Sequence, residues 1–175
     1  VIHHRFAMHA IRSILIALSL CSLGWVWAAP HTHGQGQASL VLSGQTLTLE
    51  LSLPLDVVLG FERAPRSDKE RQALQQAMTQ LSQTDALWTP SPAAQCKAQA
   101  AQAQTPDWGG SGHADLDVTY TWVCQQPMAL ERIQTQLFEQ FKRLRRLDFN
   151  HVLPKGQGAS RLTPKQPVWQ AGNKP

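Results

Sequence analysis

The sequence predicts an α+β domain, with helices packed on one face of a mainly antiparallel sheet, and three observations predict it. From His113 to Cys124 the residues sort at a period of two. Ala114, Leu116, Val118, Tyr120, Trp122 and Cys124 fall on one side, and His113, Asp115, Asp117, Thr119 and Thr121 on the other. Leu47, Leu49, Leu51 and Leu53 alternate in the same way with Thr46, Thr48, Glu50 and Ser52. Between these two strands, Ala73, Leu74, Ala77, Met78 and Leu81 recur at helical spacing. Strands with one apolar and one polar face belong in an antiparallel sheet that is covered on one side only.

Taken in order, residues 1–28 read as an address. Arg5 and Arg12 precede an uncharged apolar run from Ile14 to Trp27, followed by Ala28, Ala29 and Pro30. This is the layout of a secretory signal cleaved near Ala28, so the chain is expected to be exported. Cys21 leaves with the signal: Leu20 stands before it, where a lipid-attachment site carries a small residue, and the mature chain is expected to have no membrane anchor. Residues 29–175 are one domain's worth of chain. Without Arg5 and Arg12 the balance is 14 basic against 12 acidic residues, a net +2, which does not imply a nucleic-acid partner.

Ala38 to Leu42 and Leu47 to Leu53 form a hairpin around Ser43 to Gln45, and Pro54 ends its second strand. Val57 to Pro65 is an apolar connection that leads to the first helix, whose start is signalled by Ser67 and Glu70 in capping-box spacing. Leu87 to Gly112 shifts to Ala, Gln, Pro and Gly and reads as a loop, with Leu87 and Trp88 opening a short strand. The strand to Cys124 follows. After Pro127 a second helix is expected, with Leu130, Ile133, Leu137, Phe138 and Phe141 on one side. Lys142, Arg143, Arg145 and Arg146 then read as the solvated end of that helix, complementing its dipole. Leu147 to Leu153 and Ser160 to Thr163 are the last strands. His151 shares parity with Leu147, Phe149 and Leu153, which suits a hydrogen-bonded structural histidine.

Two cysteines survive processing, Cys96 and Cys124, in what should be an oxidising compartment, and a disulfide between them is expected. Metal chemistry is the other signal. His31 and His33 stand one residue apart at the mature start, and imidazole is a common zinc ligand. His113, Asp115 and Asp117 project from one strand face about 7 Å apart, so two of them can contribute to a site completed from elsewhere. One arrangement folds His31 and His33 back toward His113, with Asp115 or Asp117 as a further ligand or as an acceptor that orients an imidazole. Affinity should then fall as pH drops through roughly 6.5. Imidazole suits zinc, copper and nickel alike. The sequence carries no nucleophile elbow, His-Glu-x-x-His helix, phosphate loop or dinucleotide turn, and no enzymatic activity is expected.

In order along the chain stand His31-x-His33-Gly34, the leucine-alternating hairpin, Gly60-Phe61-Glu62 followed by Ala64-Pro65, His113 ahead of Tyr120 and Cys124, Pro127, and Leu137-Phe138. This order resembles the ZrgA-type zinc-binding family of exported proteins from Gram-negative bacteria, across nearly the whole mature chain. The resemblance implies a periplasmic, non-catalytic protein that binds zinc and assists its uptake, working with a metal-transport component of the envelope. It also points to His31, His33 and His113 as the ligand positions to test. Where family members often carry a histidine after Gly-Phe-Glu, this chain has Arg63, and the Ala/Gln-rich connection has no histidine before His113; one site, or only weak binding, is what the sequence supports. The competing expectation is an exported interaction module that uses no metal.

Overall fold

A computed structural model of the chain describes residues 33–106, 108 and 114–172. The signal over 1–28, His31 and His113 lie outside them. In chain order the elements are strands β1 (Gln35–Ser43) and β2 (Thr46–Pro54), helical turn α1 (Leu55–Val58), helix α2 (Asp68–Leu81), turn α3 (Thr84–Leu87) and strands β3 (Trp88–Pro90), β4 (Cys96–Ala98) and β5 (Gln102–Gln104). Then come β6 (Asp115–Cys124), β7 (Arg132–Thr135), turn α4 (Leu137–Gln140), β8 (Arg146–Leu153), β9 (Gly156–Leu162) and β10 (Val168–Gln170).

The leucine parity of β2 sets the sheet. Leu49 pairs with Leu40 of β1 on one side and Tyr120 of β6 on the other, and all three are buried. Every residue assigned from sequence to the apolar side of β6, from Ala114 to Cys124, is buried. Beyond β1 the sheet continues through β8, its one parallel neighbour, and then β9. Beyond β6 it is closed by β4 and β5, both antiparallel to it. A second sheet, in the order β10, β7, β3, faces the first across the core. Trp169 of β10 stacks on Phe149 of β8 at 5.8 Å, and Trp88 of β3 meets Tyr120 edge-on at 5.9 Å.

Helix α2 begins where the sequence says, with the Ser67 hydroxyl accepting from the Glu70 amide at 3.2 Å. It ends against β6, because the buried Tyr120 hydroxyl donates to the Leu81 carbonyl at 2.7 Å. Burial raises the Tyr120 pKa, so the phenol stays a donor. His151 is a structural histidine: Trp169 Nε1 donates to its Nδ1 at 3.3 Å, and burial lowers its pKa.

The α+β class, the dominance of antiparallel pairing and the disulfide are as the sequence predicts. The stretch after Pro127 is a correction. Its five apolar residues are all buried, but the backbone runs through β7 and the single turn α4 rather than one helix. Two strand partners decide it, since β7 pairs with β3 on one edge and β10 on the other. Thr135, a β-branched residue absent from the helical stripe, adds to this. It is buried, donates to the Leu87 carbonyl at 3.2 Å and accepts from the Leu137 amide at 3.1 Å.

The described part of the stretch read as a loop from Leu87 to Gly112, residues 87–106 and 108, contains three short strands. It supplies β3, β4 and β5, three residues each and too short to show an alternation. Cys96 lies directly opposite Cys124 in the β4–β6 pair, and the bond between them fastens this edge to the sheet. Replacing both cysteines with alanine should lower the unfolding free energy by about 3–4 kcal/mol, from the loop-closure entropy of the 28-residue separation. Urea unfolding of the variant beside the parent checks this; coincident midpoints would remove the disulfide from the list of stabilising contacts.

Candidate metal centre

Strand β2 stops at Pro54, and the chain turns at once into α1. The Leu55 amide donates to the Ala114 carbonyl at 3.0 Å, pinning the turn to the start of β6. Within α1, Leu55 and Val57 enter the core, which leaves Asp56 on the opposite side. Gly60, at φ +86°, then reverses the chain in a conformation that side chains other than glycine rarely adopt. Two residues later comes Glu62.

The third member arrives from the start of β1, which lies beside the end of β2 in their antiparallel pair. His33 precedes β1, and Gly34 beside it, at φ +79°, accepts from the amides of Arg145 at 2.8 Å and Arg146 at 3.1 Å. These two bonds open the parallel β1–β8 pairing and fix where the imidazole emerges. His33 Nδ1 lies 2.6 Å from Asp56 Oδ2. One ligand atom from each of His33, Asp56 and Glu62 lies within 4.8 Å of the other two. Around a tetrahedral ion with donor bonds of about 2.0–2.2 Å, donor atoms stand roughly 3.3–3.6 Å apart, so modest side-chain rotation closes this triad on a divalent cation.

Chemistry and accessibility agree with that geometry. One imidazole and two carboxylates are a borderline-hard donor set suited to zinc. Asp56 Oδ2 is used by His33, while its Oδ1 is buried and finds no hydrogen-bond partner among the described residues. Both lone pairs of that oxygen are thus available to a ligand or to water. The Asp56 side chain is 19% exposed and that of His33 83%, so the site has one anchored and one open wall. The hydrogen bond to Asp56 raises the His33 pKa first, with the charges of Asp56 and Glu62 adding to it against a small opposing burial effect. A proton on Nδ1 and a metal ion therefore compete for the same place.

Arg63, standing where a histidine was of interest, has a structural use. Its guanidinium forks onto Glu70 at 2.7 and 2.9 Å and lies over the Phe61 ring at 4.9 Å. Glu70 also accepts from the Arg66 amide at 2.6 Å; the Arg63 contact leads in holding its carboxyl down to about 2. The residue after Glu62 is thereby tied to the first turn of α2.

Of the ligand positions read from sequence, His33 is in this triad. Asp115, opposite Pro54, and Asp117, opposite Ser52, are not members of it. Asp117 lies on the open sheet face beside Ser52 and Gln104. His31 and His113 lie outside the described residues. Asp56 and Glu62 went unread as ligands, although Asp56 carried a signal: it is the one charge in the apolar run from Leu53 to Leu59.

A family model described as "ZrgA family zinc uptake protein" matches residues 30–171. No curated protein matches the chain.

In the metal-free protein His33 should titrate above 6.5, and Asp56→Asn should bring it back toward that value. The pairing favours the fold fully below pH 6.5, where imidazolium is present in both states, and this contribution is lost as pH rises through the raised pKa. Proton NMR of the His33 ring reads it; an identical titration in the variant would show that the Asp56 contact does not form in solution.

Proposed function

The chain belongs to the ZrgA family of zinc uptake proteins, and on that footing we propose that His33, Asp56 and Glu62 form the zinc site of an exported, non-catalytic carrier. The observation that carries the reading is the triad itself, in which Asp56 also has a buried oxygen without a hydrogen-bond partner among the described residues. Three protein ligands leave coordination positions to fill, and the proposal gives them to His31 or His113, on their places in the sequence, or to water. Zinc is the ion assigned because the family is one of zinc uptake; on intrinsic affinity alone the same donors would hold copper more tightly.

A carrier fits better than a catalyst. Catalysis by bound zinc profits from a fixed, water-excluding site, whereas the His33 side chain is 83% exposed, which suits loading and unloading of a cargo ion. The Cys96–Cys124 bond and the signal-like residues 1–28 support work outside the cytoplasm, in the periplasm, with the ion passed to a metal-transport component of the envelope. One observation favours the alternative of an accessory module without a metal: the His33–Asp56 pair is already a satisfied ion pair when His33 is protonated.

Calorimetric titration of the purified protein with zinc separates the two. The expected result is about one ion per chain, with Asp56→Asn and Glu62→Gln each weakening affinity by more than the roughly 10- to 100-fold typical of losing an outer-shell group. Asp115→Asn/Asp117→Asn should bind like the parent. No saturable heat in the parent would leave the accessory module as the reading. Affinity should also weaken from neutral pH downward, since the His33 pKa lies above 6.5 and the ligand must be neutral; equal affinity at neutral and mildly acid pH would remove His33 from the ligand set.

A further inference from the structure

Lys142, Arg143, Arg145 and Arg146 follow α4 and lead into β8. As the end of a helix they would complement a dipole, but α4 has only four residues and offers little to complement. Two of the four are spoken for: Lys142 pairs with Glu139 at 2.6 Å and Arg146 with Asp148 at 2.7 Å. Arg143 and Arg145, both exposed, make no ion pair with a described residue. They go instead to the two glycines of the metal centre. A Cβ placed on Gly60 would stand 3.0 Å from Arg143 Nη2 and 3.1 Å from its Cζ, and one placed on Gly34 would stand 3.1 Å from Arg145 Cγ. The Arg143 guanidinium thus lies over the chain between Asp56 and Glu62, and the Arg145 stem lies on the residue after His33. Neither glycine could be another residue without displacing the arginine.

We propose that Arg143 and Arg145 form a cationic collar that docks the carboxylates of the protein receiving the ion, so that release from the metal centre proceeds by ligand exchange with an anionic acceptor. The inference rests on the reading of His33, Asp56 and Glu62 as the zinc site. The Arg143 guanidinium over Gly60, and the exposed Arg145 whose stem lies on Gly34, add two permanent positive charges to the surface that carries a site itself neutral when two carboxylates hold a divalent ion, which gives this surface a net attraction for anions. They steer an acidic partner to the open wall where His33 is exposed, and they do little for a neutral one. In the exchange, each new bond from an acceptor oxygen to the ion replaces one bond to His33, Asp56 or Glu62, and each donor atom keeps its own electron pair. The collar also opposes accumulation of cations beside the site, which keeps binding loose enough for hand-over.

The test uses the zinc-loaded protein and two tripodal chelators of like denticity, anionic nitrilotriacetate and neutral tris(2-pyridylmethyl)amine, with transfer followed by stopped flow. Arg143→Gln/Arg145→Gln should slow transfer to nitrilotriacetate about tenfold. Arg143→Lys/Arg145→Lys, which keeps the charge, should retain the parent rate. Transfer to the neutral chelator should be the same in all three proteins. In the parent itself, added potassium chloride should slow the anionic arm and leave the neutral arm unchanged. A loaded protein whose transfer to nitrilotriacetate ignores both salt and the glutamine substitutions would overturn the collar while leaving the zinc site standing. A parent that takes up no zinc would instead overturn the site, and the collar with it.

Discussion

Strand β2 is paired along its length on both edges, to β1 by a tight hairpin and to β6 by a long-range antiparallel match, and its four leucines are all buried. A slip of one residue in either pairing would turn Leu47, Leu49, Leu51 and Leu53 to the solvent side, at a cost of about 1.5–3 kcal/mol for each side chain exposed. That constraint fixes where β2 ends. It therefore fixes where α1 begins, which side of α1 meets the core and which side Asp56 must take. The candidate metal centre sits at this corner, where the chain leaves β2 with the Leu55 amide held by the Ala114 carbonyl.

Elements whose residues alternate for six or more positions could be read from the sequence, and those stabilised by partners could not. The parity of β6 and β2 stated both the strand and its buried side, and the capping signal at Ser67 stated the start of α2. The segment from Leu130 to Phe141 offered apolar residues at helical spacing and buried them all, yet β3 and β10 converted part of it to strand. Three-residue strands such as β4 and β5 have no period to detect; they exist because β6 offers an open edge and a disulfide holds one of them there.

The candidate site shows the same division. His33 was legible because histidines near a glycine-flanked start are conspicuous. Asp56 and Glu62 were not, since a lone aspartate between leucine and valine looks like a connection and Glu62 like ordinary surface charge. What brings them together with His33 is a reversal at Gly60 and a histidine 23 residues before Asp56 in the chain. The basic run was legible as charge, but it does not cap a long helix, because the chain before it makes only the single turn α4, and two of its arginines lie against Gly34 and Gly60.

His33 is held through Gly34 by the amides of Arg145 and Arg146, more than a hundred residues further along. The β1–β8 pairing that begins there is parallel, so it cannot form as a local hairpin and must wait for the intervening chain. Asp56 and Glu62 can come together early in folding, but the imidazole is brought to them only once β8 has docked on β1. The three side chains therefore stand together only where the first and the eighth strands are paired, which makes their assembly a property of the complete domain.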